Sequence, residues 1–401
     1  MIPYALPPAE TKLSMRTLAG GYLTKQSPFA NILCNYLGTE SCLLANSGRA
    51  LLYLLFCHLR NTGGVKKTEV LIPGYTCYSV PAAAVKAGLN VALYDMDPET
   101  MQPDMDDVSR KIRSNTLAVV GQHLLGVRSD IAALAKIAHE YGIWCIEDSA
   151  QRLDASPKES RQKPAADFTV FSFGRGKPLP LGDGGALIAS KPKELSVMFS
   201  ELERYHKKTG NYFLPVVVQL FSNPRLYWLL EKLPLGLGRT VYDPAFDLSV
   251  MPSLYQRIGA LGLGELEMLN KHRIATGNTY QTCFNGGGLR ERQVAEAYVR
   301  YPLLMLQSRQ AIERLFNYGV RRLYPLALCD LPPLHDSLTD HNAQTPGARQ
   351  IAERLITLPT HVAVSESTAA RIAIKIQESF SQKTYSLVKS LDKSMLTHHR
   401  G

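Results

Sequence analysis

The sequence predicts an α/β protein: a large domain built on a mostly parallel seven-stranded sheet, with a smaller C-terminal α+β domain behind it. Three observations point there. The chain has 401 residues, more than the roughly 250–300 at which a single core stops growing, so two lobes are expected. From about Ser41 to Ser190, short apolar runs alternate with stretches of helical periodicity, the pattern of parallel strands covered by helices on both faces. The last two runs, FTVFSF and GALIAS, follow one another without an intervening helix, so the final strand is expected to be antiparallel.

Taken in order, the N-terminal segment 1–40 lacks a basic start, apolar core and small-residue cleavage site, so no secretory leader is expected. The large domain, 41–252, opens with the strand SCLLAN and the helix GRALLYLLFCHL. EVLIPG, helical VPAAAVKAG, NVALYDM, TLAVVGQ, a helix near IAALAKIAHEYG, and IWCIED follow, then the two consecutive strands. A helix around ELSVMFSELERYHKK leads into the apolar, aromatic segment NYFLPVVVQLFSNPRLYWLLEKLPLGLG. Its first apolar stretch, Tyr212 to Phe221, is short of the roughly 20 residues a bilayer demands, and Pro215, Pro224 and Pro234 are expected to break it up. It reads as a subunit contact or substrate-channel wall, with plain core or a membrane-surface contact as alternatives. A long amphipathic helix in the connecting segment 253–285, a loop at Gly286, Gly287 and Gly288, and a small domain within 286–401 complete the chain, with a polar tail beyond about residue 386.

Composition removes several classes of function. Hydrophobic residues at 45% and charged residues at 20% leave no tract that must stay disordered. The net charge of +10 is spread along the chain without interleaved aromatics, so no nucleic-acid surface is expected. An anionic cofactor and substrate, or a solvated basic surface, account for that charge. Seven cysteines without a CxxC spacing read as buried thiols of a reducing cytoplasm, with no metal site.

Ligands in such sheets bind at the carboxyl ends of strands, so the residues just after each apolar run matter most. IWCIEDSAQ puts Glu147 and Asp148 at one such end, where a carboxylate can keep a pyridine nitrogen protonated, although caps are common there too. Lys177 follows the next strand in FSFGRGKPLPLGDGG, on a glycine-rich bend that lets the backbone approach a ligand. A lysine so placed can form a Schiff base with the aldehyde of pyridoxal 5′-phosphate (PLP). In ANSGRALLYLLF, Ser47 and Gly48 stand at a helix start, an anion site for a phosphate, with Ser47 or Ser172 able to donate a hydroxyl and Arg49 able to add charge. Phosphate site, carboxylate and lysine together point to a PLP enzyme.

These motifs resemble the DegT-type sugar aminotransferases, PLP-dependent enzymes of transferase fold type I. The likeness spans roughly residues 41–380 and is most specific at His123 to Gly126, Glu147 to Gln151, Phe171 to Lys177 and Gly182 to Gly185. It implies that Lys177 carries the cofactor, that Asp148 contacts the pyridine nitrogen, and that Gln151 lies beside the ring. It places Ser172 and the backbone of Gly48, Arg49 and Ala50 at the phosphate, in a homodimer with active sites near the interface. LITLPTH, Leu355 to His361, resembles the late small-domain strand.

Three positions depart from the pattern. Arg49 replaces the usual Thr of the phosphate turn, and Cys77 stands where an aromatic ring usually stacks, leaving Tyr75 or Tyr78 for that task. The usual Asn and Arg before the long helix fall near Met251 and Ser253 here. The expected activity is amino transfer from an amino-acid donor, glutamate or glutamine, to a keto sugar or cyclitol. A dehydratase or lyase on the same scaffold and a non-catalytic member are the alternatives.

Overall fold

The computed structural model of the protein describes residues 5–25, 27–64, 66–154, 164–205, 213–221, 223–227, 241–285, 296–381 and 384–388. Seven strands, β1 (Leu43–Ala45), β2 (Glu69–Pro73), β3 (Asn90–Tyr94), β4 (Thr116–Gln122), β5 (Trp144–Asp148), β6 (Phe168–Ser172) and β7 (Gly185–Ala189), form one sheet in the order β1-β7-β6-β5-β4-β2-β3. β7 runs antiparallel to both β6 and β1, and the remaining neighbours are parallel. The sheet is therefore the mostly parallel one expected, with its antiparallel member where two strands follow each other directly. β2 and β4 are buried along their whole length, which is why EVLIP and TLAVVGQ read as near-continuous apolar runs.

Helices cover the faces and start on side chains that satisfy their free N–H groups. Ser47 Oγ accepts from Ala50 N to begin Gly48–Thr62, and Asp130 accepts from Ala133 N to begin Ile131–Glu140. Helices Met15–Leu23 and Phe29–Leu37 in the N-terminal segment and Met105–Lys111 between β3 and β4 were not foreseen. Pro215 does not interrupt the apolar segment as expected: it lies in the first turn of helix Leu214–Phe221, where its missing N–H has no partner to lose. Pro224 opens a further helical turn, while Pro234 and Gly286–Gly288 lie outside the described residues. The long connecting helix is broken by a 3₁₀ turn, Leu263–Glu265, between Ser253–Gly262 and Leu266–Phe284.

The C-terminal region holds a three-stranded antiparallel sheet of β8 (Arg300–Met305), β9 (Leu355–Pro359) and β10 (Tyr385–Leu387), in the order β10-β8-β9. Alternation along β8 divides its side chains: Tyr301, Leu303 and Met305 enter the small lobe's core, while Leu304 packs into the core of the large lobe. All seven cysteines are free, but only Cys34, Cys42 and Cys145 are fully buried; Cys57, Cys77, Cys283 and Cys329 are half-buried, contrary to expectation. Among the described residues no helix is long and apolar enough to cross a membrane.

Candidate active site

The carboxyl ends of β4 and β5 and the loop after β6 meet at a small cavity of about 10 Å³. Asp148, Gln151, Lys177 and Cys77 line it, joined by Gln122, His123, Leu124, Ala150 and Tyr324. Residues 148 and 177 thus reach one wall from different strands, as the spacing of the motifs implied.

Asp148, the last residue of β5, is 8% exposed and its Oδ1 accepts from Ala150 N at 3.0 Å. Burial raises its carboxyl above the ordinary range, and the Lys177 ammonium and the Ala150 N–H pull it back only in part. The adjacent Glu147 has the opposite balance. Burial alone would raise it, but hydrogen bonds from His123 Nε2 (2.7 Å) and Thr169 Oγ1 (2.8 Å) hold its carboxyl below the usual value. His123 Nδ1 accepts from Ser129 N, which places the ring proton on Nε2 and fixes the ring against the cavity.

Lys177 sits on a loop closed at its base by Leu181 N donating to Phe173 O and Phe173 N donating to Gly184 O, both at 2.8 Å. Gly176, Gly182 and Gly184 have φ of +71°, +100° and +114°, so this bend requires glycine. Arg273, only 2% exposed, reaches in from helix Leu266–Phe284 and donates to Pro178 O (2.9 Å), Thr11 Oγ1 (2.7 Å) and Asn270 Oδ1 (2.6 Å). Arg175 pairs with Glu10 of the N-terminal arm. The lysine is therefore carried on a loop fixed from both sides.

The residues expected at the phosphate come together as well. A Cβ on Gly48 would lie 3.1 Å from Ser172 Cβ, so the helix start and the end of β6 are in contact. Ala50 N–H is taken by Ser47 Oγ, so this first-turn donor is already engaged. The Arg49 side chain is engaged elsewhere: Nη1 donates to Asp243 O (3.0 Å) and its guanidinium lies 4.3 Å from the Phe246 ring centre. Asp183, beside this corner, has its carboxyl pushed up to about 6 by burial.

Tyr75 and Tyr78, the two expected candidates for stacking, are not among the residues that line this cavity. Both are buried, and their hydroxyls grip the backbone of the small-lobe segment, Tyr75 at Tyr324 N and O and Tyr78 at Leu326 N and O. The ring they hold in place is Tyr324, which packs 5.5 Å from Tyr75 and 5.7 Å from Tyr78. Met251 packs on the Gly184 turn and Ser253 begins a helix.

Close packing behind this corner gives a direct test. A Cβ on Gly185 would stand 2.6 Å from Gly48 N and 2.8 Å from Phe171 O, both backbone atoms that cannot swing away. Gly185→Ala is expected to cost about 1–3 kcal/mol, seen as a lower denaturation midpoint, and to weaken PLP binding. An unchanged midpoint would show that the corner is loosely packed.

The donor set fits a phosphorylated pyridine: a helix start against Ser172 for the phosphate, a buried carboxylate with one oxygen engaged, and a lysine on the same wall. A sequence profile described as the DegT/DnrJ/EryC1/StrS aminotransferase family matches residues 14–223 and 244–377. The chain belongs to this family. It is 32% identical over 350 residues to the dTDP-4-dehydro-2,3,6-trideoxy-D-glucose 4-aminotransferase of Saccharopolyspora spinosa, covering 84% of each chain. It is 30% identical over 340 residues to the UDP-2-acetamido-2-deoxy-3-oxo-D-glucuronate aminotransferase of Pseudomonas aeruginosa, covering 82% of this chain and 83% of the relative. Helicobacter pylori PseC, an aminotransferase involved in the biosynthesis of pseudoaminic acid, superposes with a TM-score of 0.74 at 16% identity, over 94% of this chain and all of that one. As a DegT/DnrJ/EryC1/StrS member the protein is a PLP-dependent aminotransferase of fold type I.

Proposed function

We propose that this aminotransferase moves an amino group from glutamate or glutamine to a keto group on a sugar or cyclitol, in polysaccharide or secondary-metabolite biosynthesis. The observation that carries the residue roles is the shared wall of Asp148 and Lys177 in one cavity. The sugar class follows the activities named for the two relatives that match most of the chain.

PLP, when bound, supplies an electron sink for the bonds at the substrate carbon. Asp148 holds the pyridine nitrogen charged, and Lys177 first carries the cofactor, then moves the proton to and from the substrate carbon. Ser172 and the N–H groups at Gly48 and Arg49 take the phosphate, with Ala50 capped beside them. Gln151 lines the cavity, and its Oε1 accepts from Leu125 N (2.6 Å), so the NH₂ is the end that would donate to a ligand. The working unit is a homodimer in a reducing cytoplasm, in keeping with seven free cysteines.

The decisive experiment is a spectrum of the purified protein incubated with PLP. A visible band that glutamate or glutamine bleaches, and that a keto sugar restores, is the expected result. A protein that takes up PLP but releases water from the sugar without exchanging an amino group would be a dehydratase instead.

A further inference from the structure

The N-terminal arm, residues 5–13, is anchored in both lobes. At its start Leu6 is buried in the small lobe's core, and its N–H donates to Asn317 O at 3.0 Å. Pro7 O accepts from Nε2 of His361 (2.7 Å), just past β9. Burial pushes His361 down to about 4, so the ring is neutral and this bond persists through ordinary pH. At the far end Leu13 is buried in the same core as Phe173, Leu179 and Leu181 of the lysine loop.

Between those anchors, three consecutive arm residues engage the loop on either side of Lys177. A Cβ on Gly176 would lie 3.2 Å from Ala9 O, so the two backbones are in contact. Glu10, only 4% exposed, pairs with Arg175. Thr11 Oγ1 accepts from Arg273 Nη2 (2.7 Å), and the same nitrogen donates to Pro178 O (2.9 Å). Residues 175, 176 and 178, the neighbours of the lysine, are thus all held through the arm.

The link between the lobes is short and stiff. Pro7, Pro8 and Ala9 alone separate Leu6 from Glu10, and the two proline rings fix φ, so this stretch has little slack. A carboxylate as buried as Glu10 is bound to its cation by the cost of separating them, so Arg175 follows it. We propose that the arm is a strap coupling the small lobe to the lysine loop, in which Glu10 is a positioning residue that sets Lys177 through Arg175. This rests on the aminotransferase reading above and adds to it a residue outside the cavity. A substrate that bears on the small lobe changes, through the strap, how Lys177 is presented, so the strap acts on the proton-moving step and not on cofactor binding.

Four variants test this as holoenzymes beside the wild type: Glu10→Ala, Arg175→Met, the two together, and a chain with two glycines inserted between Pro8 and Ala9. The insertion slackens the strap but keeps the contacts at both ends. In single turnover with glutamate or glutamine, the saturated rate is expected to fall about 10–100-fold in Glu10→Ala and in Arg175→Met, the cost of a misplaced reacting group. The half-saturating donor concentration, the PLP affinity and the resting spectrum should stay at their wild-type values. The double variant should be no slower than the slower single one, because both act through one contact. The glycine insertion should slow the same step while its thermal midpoint stays close to the wild type's. Normal rates in the substituted chains or in the glycine insertion, with a wild type that transaminates, overturn this inference alone. Slowing that traces to weaker PLP binding or to a raised half-saturating concentration overturns it too, and reduces the pair to packing. A wild type that neither binds PLP nor exchanges amino groups overturns the reading of the site along with it.

Discussion

Replacing Lys177 by arginine is expected to end amino transfer while leaving PLP held by its other contacts. Arginine keeps the positive charge and most of the length, but its guanidinium cannot form the covalent link and cannot give up a proton at working pH. The loss of a proton-moving group alone is worth about 10²–10⁴-fold, and the missing covalent attachment adds to it. The loop should survive, because its shape is set by the Phe173, Leu181 and Gly184 backbone bonds and by Arg273 at Pro178, none of which involves the lysine side chain. Borohydride treatment of the wild type should leave the reduced cofactor on the peptide containing Lys177, and the variant should retain none after denaturation. Reduced cofactor on another lysine, or a variant exchanging amino groups with glutamate at the normal rate, would remove Lys177 from the mechanism.

Local signals were strong where each residue's neighbours in sequence decide its surroundings. The strand ends of β5 and β6, the helix start at Ser47 and the glycine bend after Lys177 are each set by a run of adjacent residues, and the structure gathers Asp148, Gln151, Lys177 and Cys77 at one cavity. What sequence could not show depends on partners far apart in the chain. Arg152 pairs with Glu296, 144 residues away, and Arg273 reaches Thr11 across 262. Both arginines look in sequence like ordinary surface charges on a loop and a helix. Tyr324 was missed for the same reason, since its position depends on hydroxyls of Tyr75 and Tyr78 that lie 249 and 248 residues from the groups they bind. Tyr75 and Tyr78 flank Cys77 in sequence, but their hydroxyls are committed to the backbone of Tyr324 and Leu326. His123 carried a signal that could have been used: the HLxG motif places it one residue after β4, directly beside the strand that ends in Asp148.

Asp148→Asn is expected to leave the protein folded and PLP bound but to cut turnover by about 100-fold or more, the order of a lost charge partner in an active site. An amide keeps the shape and can still accept from Ala150 N, yet it cannot hold a charged pyridinium. Stability supplies the control. Burial raises the Asp148 carboxyl above its unfolded value, so the folded apoprotein binds this proton more tightly than the unfolded chain does. Its contribution to stability is therefore fully present below the unfolded pKa and fades as pH rises through the raised folded value. The Asn variant, free of that penalty, should be at least as stable as the apoprotein at neutral pH and should lack this part of the wild type's pH slope. Bound PLP reverses the sign for the wild type alone, because a pyridinium beside Asp148 favours the carboxylate; PLP should then raise the wild type's melting temperature more than the variant's. A variant with near-normal turnover and the same PLP-induced shift would show that Asp148 only caps the turn at Ala150.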